Sequence, residues 1–272
     1  MKPRPFDYAR PDAVDEAIAL LAEHGDDARV LAGGQSLMAM MNLRLADPAL
    51  LIDITRIAEL DGIRDLGEKV EIGAAVTQNK LLAWPGLGTK LPLLAAALPF
   101  VGHFQTRNQG TVCGSIAHAD PSSELPLSLA VLEGEVVLRS MRGTRTLAAT
   151  EFQRDMLTTA REPDELIIAV RFPVHGKGAA FREVARRHGD FAIIAVAAVI
   201  DGKDQARLGV GGITGTPVVR RVPADGGATD AVETLAAGLD ITEDLHASAE
   251  MRRDILRNLA PIVIAEAKKC AA

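Results

Sequence analysis

The chain has 272 residues, 48% of them hydrophobic and 24% charged, with a formal net charge of −6. That balance gives a folded protein with material for a sizeable core or two domains, and its acidic sign argues against nucleic acid as a partner. The two cysteines, Cys113 and Cys270, form no CxxC pair; this suits a reducing cytoplasm, excludes a disulfide scaffold and leaves too few thiolates for a four-cysteine iron–sulfur cluster.

The opening stretch MKPRPFDYARPD has no apolar core of the kind a secretory signal carries. Val14, Ala17, Ile18 and Leu21 then recur at helical spacing, predicting an amphipathic helix that stops at Gly25. ARVLA at 28–32 reads as a short strand. Leu37, Met40, Met41 and Leu45 share a helical face up to the Asp47-Pro48 break, and the methionines read as core filler. LLIDI at 50–54 is a second strand, so the order strand–helix–strand predicts a small α/β unit with parallel neighbours. VEIGAAV continues in β fashion and LPLLAAALPFVG, 91–102, reads as a buried helix.

EVVLRS (135–140), TRTLAA (144–149) and LIIAVRFP (166–173) read as strands separated by turns. Pro173 and the following HGKG mark the best candidate domain boundary. Beyond it come strands in AFREVAR, FAIIAVAAVI and ARLGVGGI, then a long amphipathic helix over about 248–269. FAIIAVAAVI, the longest apolar run, is roughly half of the ~20 residues a membrane helix needs, which excludes a membrane span.

Two glycine-bearing segments carry the chemistry. In AGGQS, Gly33 and Gly34 stand where a strand hands over to a helix; in QGTVCGS, Gly110, Thr111, Gly114 and Ser115 form a turn running into small residues. Each alone reads equally as a tight turn. Together they offer bare backbone N–H groups and hydroxyls, with a helix start, to a diphosphate. Neither segment is a GxGxxG or GxxxxGK[ST] loop, so the Rossmann and P-loop readings fail, and GVGGIT at 209–214 reads as structural. His103, His118 and His188 fall in no metal-binding spacing, and His118 reads as a polar lining group.

The run AGGQSL–NLRLADPALLIDI, then RNQGTVCGSIAHADPSSELP, then RRHGDFA, resembles the FAD-binding medium subunit of molybdenum hydroxylases, the carbon monoxide dehydrogenase and xanthine dehydrogenase type. The resemblance covers about Phe6 to Thr216. It implies an α+β chain: a two-subdomain FAD-binding fold of the PCMH type over 1–175 (subdomains 1–55 and 56–175), followed by a small α+β C-terminal domain over 178–272. It implies that Val30, Leu31, Ala32, Gly33, Gly34, Gln35, Ser36 and Leu37 form one side of a pyrophosphate cradle. Gly110, Thr111, Val112, Cys113, Gly114 and Ser115 form the other. Glu124 matches an acidic position directed at the adenosine part, where a carboxylate accepts ribose hydroxyls. Ile167 matches a residue whose backbone meets the flavin ring, Arg182 a position near the ring often held by Lys, and Val101 is placed with the cofactor set. The competing readings are a surface Glu, a core Ile and a strand-edge Arg.

Two departures stand out. Cys113 replaces the first glycine of the family's TIGG or TVGG, which strains the backbone if that position needs positive φ and sets a redox-sensitive thiol by the cofactor if it does not. Phe191 stands where Tyr is frequent, keeping an aromatic cover without the hydroxyl. The resemblance implies a cytoplasmic oxidoreductase subunit without catalytic or metal-ligating residues of its own. It passes electrons from [2Fe–2S] clusters on a small partner, beside a molybdopterin-bearing large partner, to an external acceptor. Its rivals are a self-sufficient flavin reductase of the same fold and a degenerate scaffold subunit.

Overall fold

In the computed structural model, residues 2–202 and 204–271 are described; Met1, Lys203 and Ala272, which the expected ranges 1–175 and 178–272 include, lie outside them. The first unit is a three-stranded parallel sheet of β1 (Asp7–Ala9), β2 (Ala28–Leu31) and β3 (Leu50–Asp53), in the order β1-β3-β2. The helix Val14–His24 buries Val14, Ala17, Ile18 and Leu21, the expected stripe, and ends at Gly25 with φ 51°. A helix begins at Leu37, but it stops at Asn42 rather than running through Leu45. Arg44 takes φ 60°, its N–H bonding Met41 O (3.0 Å) while Leu45 N–H bonds Met40 O (2.8 Å). This is a Schellman stop, closed before the proline is reached. Of the expected stripe only Met41 is buried, and Leu45 is 71% exposed.

Next in the chain come β4 (Ile63–Asp65), β5 (Lys69–Gly73), β6 (Glu135–Ser140), β7 (Gly143–Ala148), the small ribbon β8 (Gln153–Asp155) with β9 (Thr158–Thr159), and β10 (Leu166–Pro173). Apart from the β8–β9 ribbon, which pairs only with itself, they build a five-stranded antiparallel sheet in the order β4-β5-β10-β6-β7. The expected buried helix at 91–102 is Pro92–Ala97 followed by one 3-10 turn, Leu98–Phe100. Segment 109–121, read as a turn, holds the helix Val112–His118; its small residues mask the helical period, and Ala119 at φ 52° ends it.

The strands β11 (Ala179–Val184), β12 (Ile194–Ile200), β13 (Gln205–Gly211) and β14 (Val218–Pro223) form an antiparallel meander. Helices Ala228–Gly238 and Ala249–Ala271 cover one face. The other face packs on Pro92–Ala97 and the helix Glu124–Val131. With both faces covered, β12 reads as an unbroken apolar run rather than an alternating one. Arg252, 4% exposed, ties the last helix to the strand ends by donating to Ile193 O (2.9 Å) and Gly212 O and pairing with Asp244.

Candidate functional site

The two glycine segments meet. A Cβ on Gly33 would fall 2.3 Å from Gln109 O and 2.6 Å from the Gly110 Cα, so that position admits no side chain. Gly34 adopts φ 69°, the left-handed region glycine enters without strain. Opposite, Thr111 caps the helix Val112–His118, its hydroxyl accepting from Gly114 N–H at 2.9 Å. Backbone bonds from Gln78 N–H to Gly110 O (2.8 Å) and from Val112 N–H to Val76 O (3.1 Å) clasp this segment to the end of β5.

Together they border a cleft of ≈ 610 Å³. Val30, Ala32, Gly33, Gly34, Gln35, Ser36 and Leu37 line one wall, and Gly110, Thr111, Cys113, Gly114 and Ser115 line the other. Glu124, Val101, Ile167 and Phe191 border the same space, as do Met40 and His118. Met40 thus faces the cleft instead of filling a core.

Three expected residues are not brought there. Leu31 does not border the cleft, although its Cδ1 would be 3.1 Å from a Cβ on Gly34. Val112 is fully buried in the main core. Arg182 points to the last helix and pairs with Glu266. Strand alternation explains it: Phe181 packs toward the cleft-bearing part and Ala180 toward the terminal helices, so Arg182 shares the second side.

Cys113 sits in the first helical turn, outside the positive-φ residues, so the substitution stores no backbone strain. Its side chain is 3% exposed and donates from Sγ toward Ile72 O at 3.5 Å. Burial drives the thiol well above its usual range, with Glu71 adding to it and a backbone hydrogen bond opposing. A reactive thiolate is therefore not what this site holds.

Glu124 is 7% exposed, and burial, with help from Asp120, pushes its carboxyl up to about 7. Glu183 on β11 is raised to about 8, by burial first and then by Glu124. Ile167 borders a break in the β10–β6 ladder, where register shifts between Ile167 and Ala169. At the mouth, Phe191 is 66% exposed. The neighbouring Gly189, at φ 85°, packs on His103: a Cβ there would come 2.8 Å from its Cε1.

Several lining groups carry no sequence signal. Arg29, within β2, and Arg161, just after β9, are lone basic residues in the sequence, yet both border the cleft. Burial and then Arg29 pull Arg161 below the usual arginine range. Gln78, 4% exposed, looks in the sequence like an ordinary first-turn helical residue. Among the described residues no group of three or more His, Cys, Asp or Glu is placed to hold a metal, and no helix is long and apolar enough to cross a membrane.

Residues 4–175 match the family described as the FAD binding domain in molybdopterin dehydrogenase, and the chain belongs to it. Over 98% of its length it is 36% identical to the 6-hydroxypseudooxynicotine dehydrogenase complex subunit alpha of Paenarthrobacter nicotinovorans, covering 96% of that protein. Over 74% it is 42% identical to the carbon monoxide dehydrogenase medium chain of Hydrogenophaga pseudoflava, covering 70% of it. A solved structure of carbon monoxide dehydrogenase from Hydrogenophaga pseudoflava, lacking the Mo-pyranopterin moiety of the molybdenum cofactor, superposes with a TM-score of 0.89 at 35% identity, each chain covered 100%. The resemblance read in the glycine segments is borne out, and so is the fold it implied. The chain is a medium, FAD-binding subunit of the molybdenum hydroxylase type, an oxidoreductase subunit.

Proposed function

We propose that this subunit takes electrons from iron–sulfur clusters on the small partner and hands them to an external acceptor, while substrate is hydroxylated at the molybdopterin of the large partner. The reading rests on one observation: two glycine segments distant in sequence close on a single cleft, and Gly33 has no room there for a Cβ. Bound FAD supplies the capacity to accept electrons and release them again. The chain's residues hold and shield it. Gly33 to Leu37 and Thr111 to Ser115, Val112 excepted, flank the diphosphate. Glu124, kept protonated in part by burial, offers the adenosine hydroxyls both a donor and an acceptor. Ile167 presents its backbone at the ladder break, Val101 borders the same cleft, and Phe191 covers the mouth.

The same reading assigns 1–175 to FAD binding, as subdomains 1–55 and 56–175, and 178–272 to the C-terminal domain, whose sheet begins at Ala179. A cytoplasmic location fits two separate free thiols. The purified chain should show a flavin absorption band and be reducible chemically, with no turnover of N-heterocycle, aldehyde or carbon monoxide until the small and large subunits are added. Turnover by this chain alone would make it a self-sufficient reductase; absence of flavin binding would leave a scaffold.

A further inference from the structure

Gln78 opens a short helix, Gln78–Leu82, behind the cap residue Thr77. Its side chain is 4% exposed and borders the cleft, lying against the Cα of Gly110. A Cβ on Gly110 would meet the amide at 3.2 Å from Oε1 and 3.3 Å from Nε2. The Oε1 is enclosed without a hydrogen-bond partner. A buried amide left unpaired costs stability, and the great majority of such groups in folded proteins are paired.

The fold does not need this amide. The clasp that fixes the second glycine segment is made by backbone groups, Gln78 N–H to Gly110 O and Val112 N–H to Val76 O. A leucine at 78 would keep both bonds and remove the unpaired oxygen. Neighbouring Gly110, Thr111 and Gly33 bring the amide to the part of the cleft where the two glycine walls meet. A glutamine amide presents either end by a half-turn about its last side-chain bond. A diphosphate oxygen only accepts, so the end it selects is Nε2.

We propose that the Gln78 side-chain amide is a ligand-binding group in its own right, donating from Nε2 to the diphosphate of the bound dinucleotide from the floor of the cleft beside Gly110. This rests on the reading of the cleft as the FAD site. Gln78 adds a side-chain amide donor to the backbone N–H groups and hydroxyls of the two walls; Nε2 turns to the ligand while Oε1 stays enclosed.

The test uses the full-length chain stripped of flavin, titrated with FAD and, separately, with riboflavin, which has no phosphate. Gln78→Leu and the unbranched Gln78→Met should weaken FAD about ten-fold or more, the worth of a hydrogen bond to a charged group, and leave riboflavin unchanged. Their flavin-free melting temperatures should equal or exceed the wild-type value. Gln78→Glu should weaken FAD further, since its carboxylate opposes the diphosphate. Equal FAD affinity in the wild type and both neutral variants would overturn the inference. So would equal weakening of FAD and riboflavin, or lost affinity matched by lower flavin-free stability in both. A wild-type chain that does not bind FAD would overturn the reading of the cleft itself.

Discussion

Gly33 and Gly110 stand against each other where the two cleft walls join: a Cβ on Gly33 would come within 2.6 Å of the Gly110 Cα. The atoms it would meet, Gln109 O and Gly110 Cα, belong to backbone and do not yield easily. Gly33→Ala is expected to force the walls apart and cost about 1–3 kcal/mol, the usual range for overpacking. Gly34→Ala has more space but must hold φ 69°, a left-handed conformation costing an L-residue about 1–2 kcal/mol. FAD occupancy after purification, measured by absorbance against protein, should fall in both and most in Gly33→Val; full occupancy would remove these glycines from the cradle.

Glu124 gives the flavin-free chain a pH dependence of definite sign. Its folded pKa, about 7, lies above the ordinary carboxyl value, so the native state holds a proton that the unfolded state has released. Its contribution to stability is complete below about pH 4 and is lost as pH rises through about 7. Glu124→Gln should therefore flatten the decline, raising the melting temperature at pH 8 relative to the wild type. An unchanged slope in Glu124→Gln would mean that the carboxyl ionises as freely in the fold as outside it.

Cys113 should be slow to label. With its side chain 3% exposed and its thiol held protonated by burial, the folded chain should react at Cys270, the exposed cysteine, with or without FAD. Cys113 should join only in denaturant. Mass-spectrometric mapping of the modified peptides decides it; rapid native modification of Cys113 would contradict its packing.

Arg252 is expected to be the most sensitive charge in the C-terminal part. Arg252→Met retains much of the apolar stem but leaves the Ile193 and Gly212 carbonyls without their arginine donor and Asp244 with only the backbone N–H groups of His246 and Ala247. A loss of about 2–4 kcal/mol follows from unpairing buried acceptors, readable as a lower urea midpoint. Asp244→Asn should cost less, because that side chain is 47% exposed and part of its attraction is screened.

The sequence reveals the main elements wherever one local pattern suffices. Val14, Ala17, Ile18 and Leu21 announce their helix because each repeat faces the same core. It fails where a distant partner decides. Nothing in Met40 to Leu45 signals that Arg44 will turn left-handed and end the helix. Small residues hide the period of Val112–His118, since a two-turn helix with only Val112 and Ile116 as large apolar side chains shows too short a stripe to read. The resemblance places Arg182 near the flavin ring by its position in a motif, yet which parity of β11 faces inward depends on the helices packed against the sheet. Gln78 gives no signal because its peculiarity is a missing partner, visible only in three dimensions.

The terminal meander sits between two cores, and its inner face carries a consequence for how the polypeptide matures. A Cβ on Gly209 would fall 2.1 Å from Val131 Cγ2 and 2.9 Å from Leu127 Cδ1, so the helix Glu124–Val131 lies almost directly on β13. A polypeptide ending at residue 175, where the family match stops, would leave fully buried Leu127 and Val131 facing water. During synthesis that helix must wait for β12 and β13, which end at Gly211, before its outer side is covered. Such an uncovered surface favours association with other unfinished chains. The ligand-binding part is therefore not a separable module: it should be insoluble when expressed alone, and the complete chain should melt as one cooperative unit.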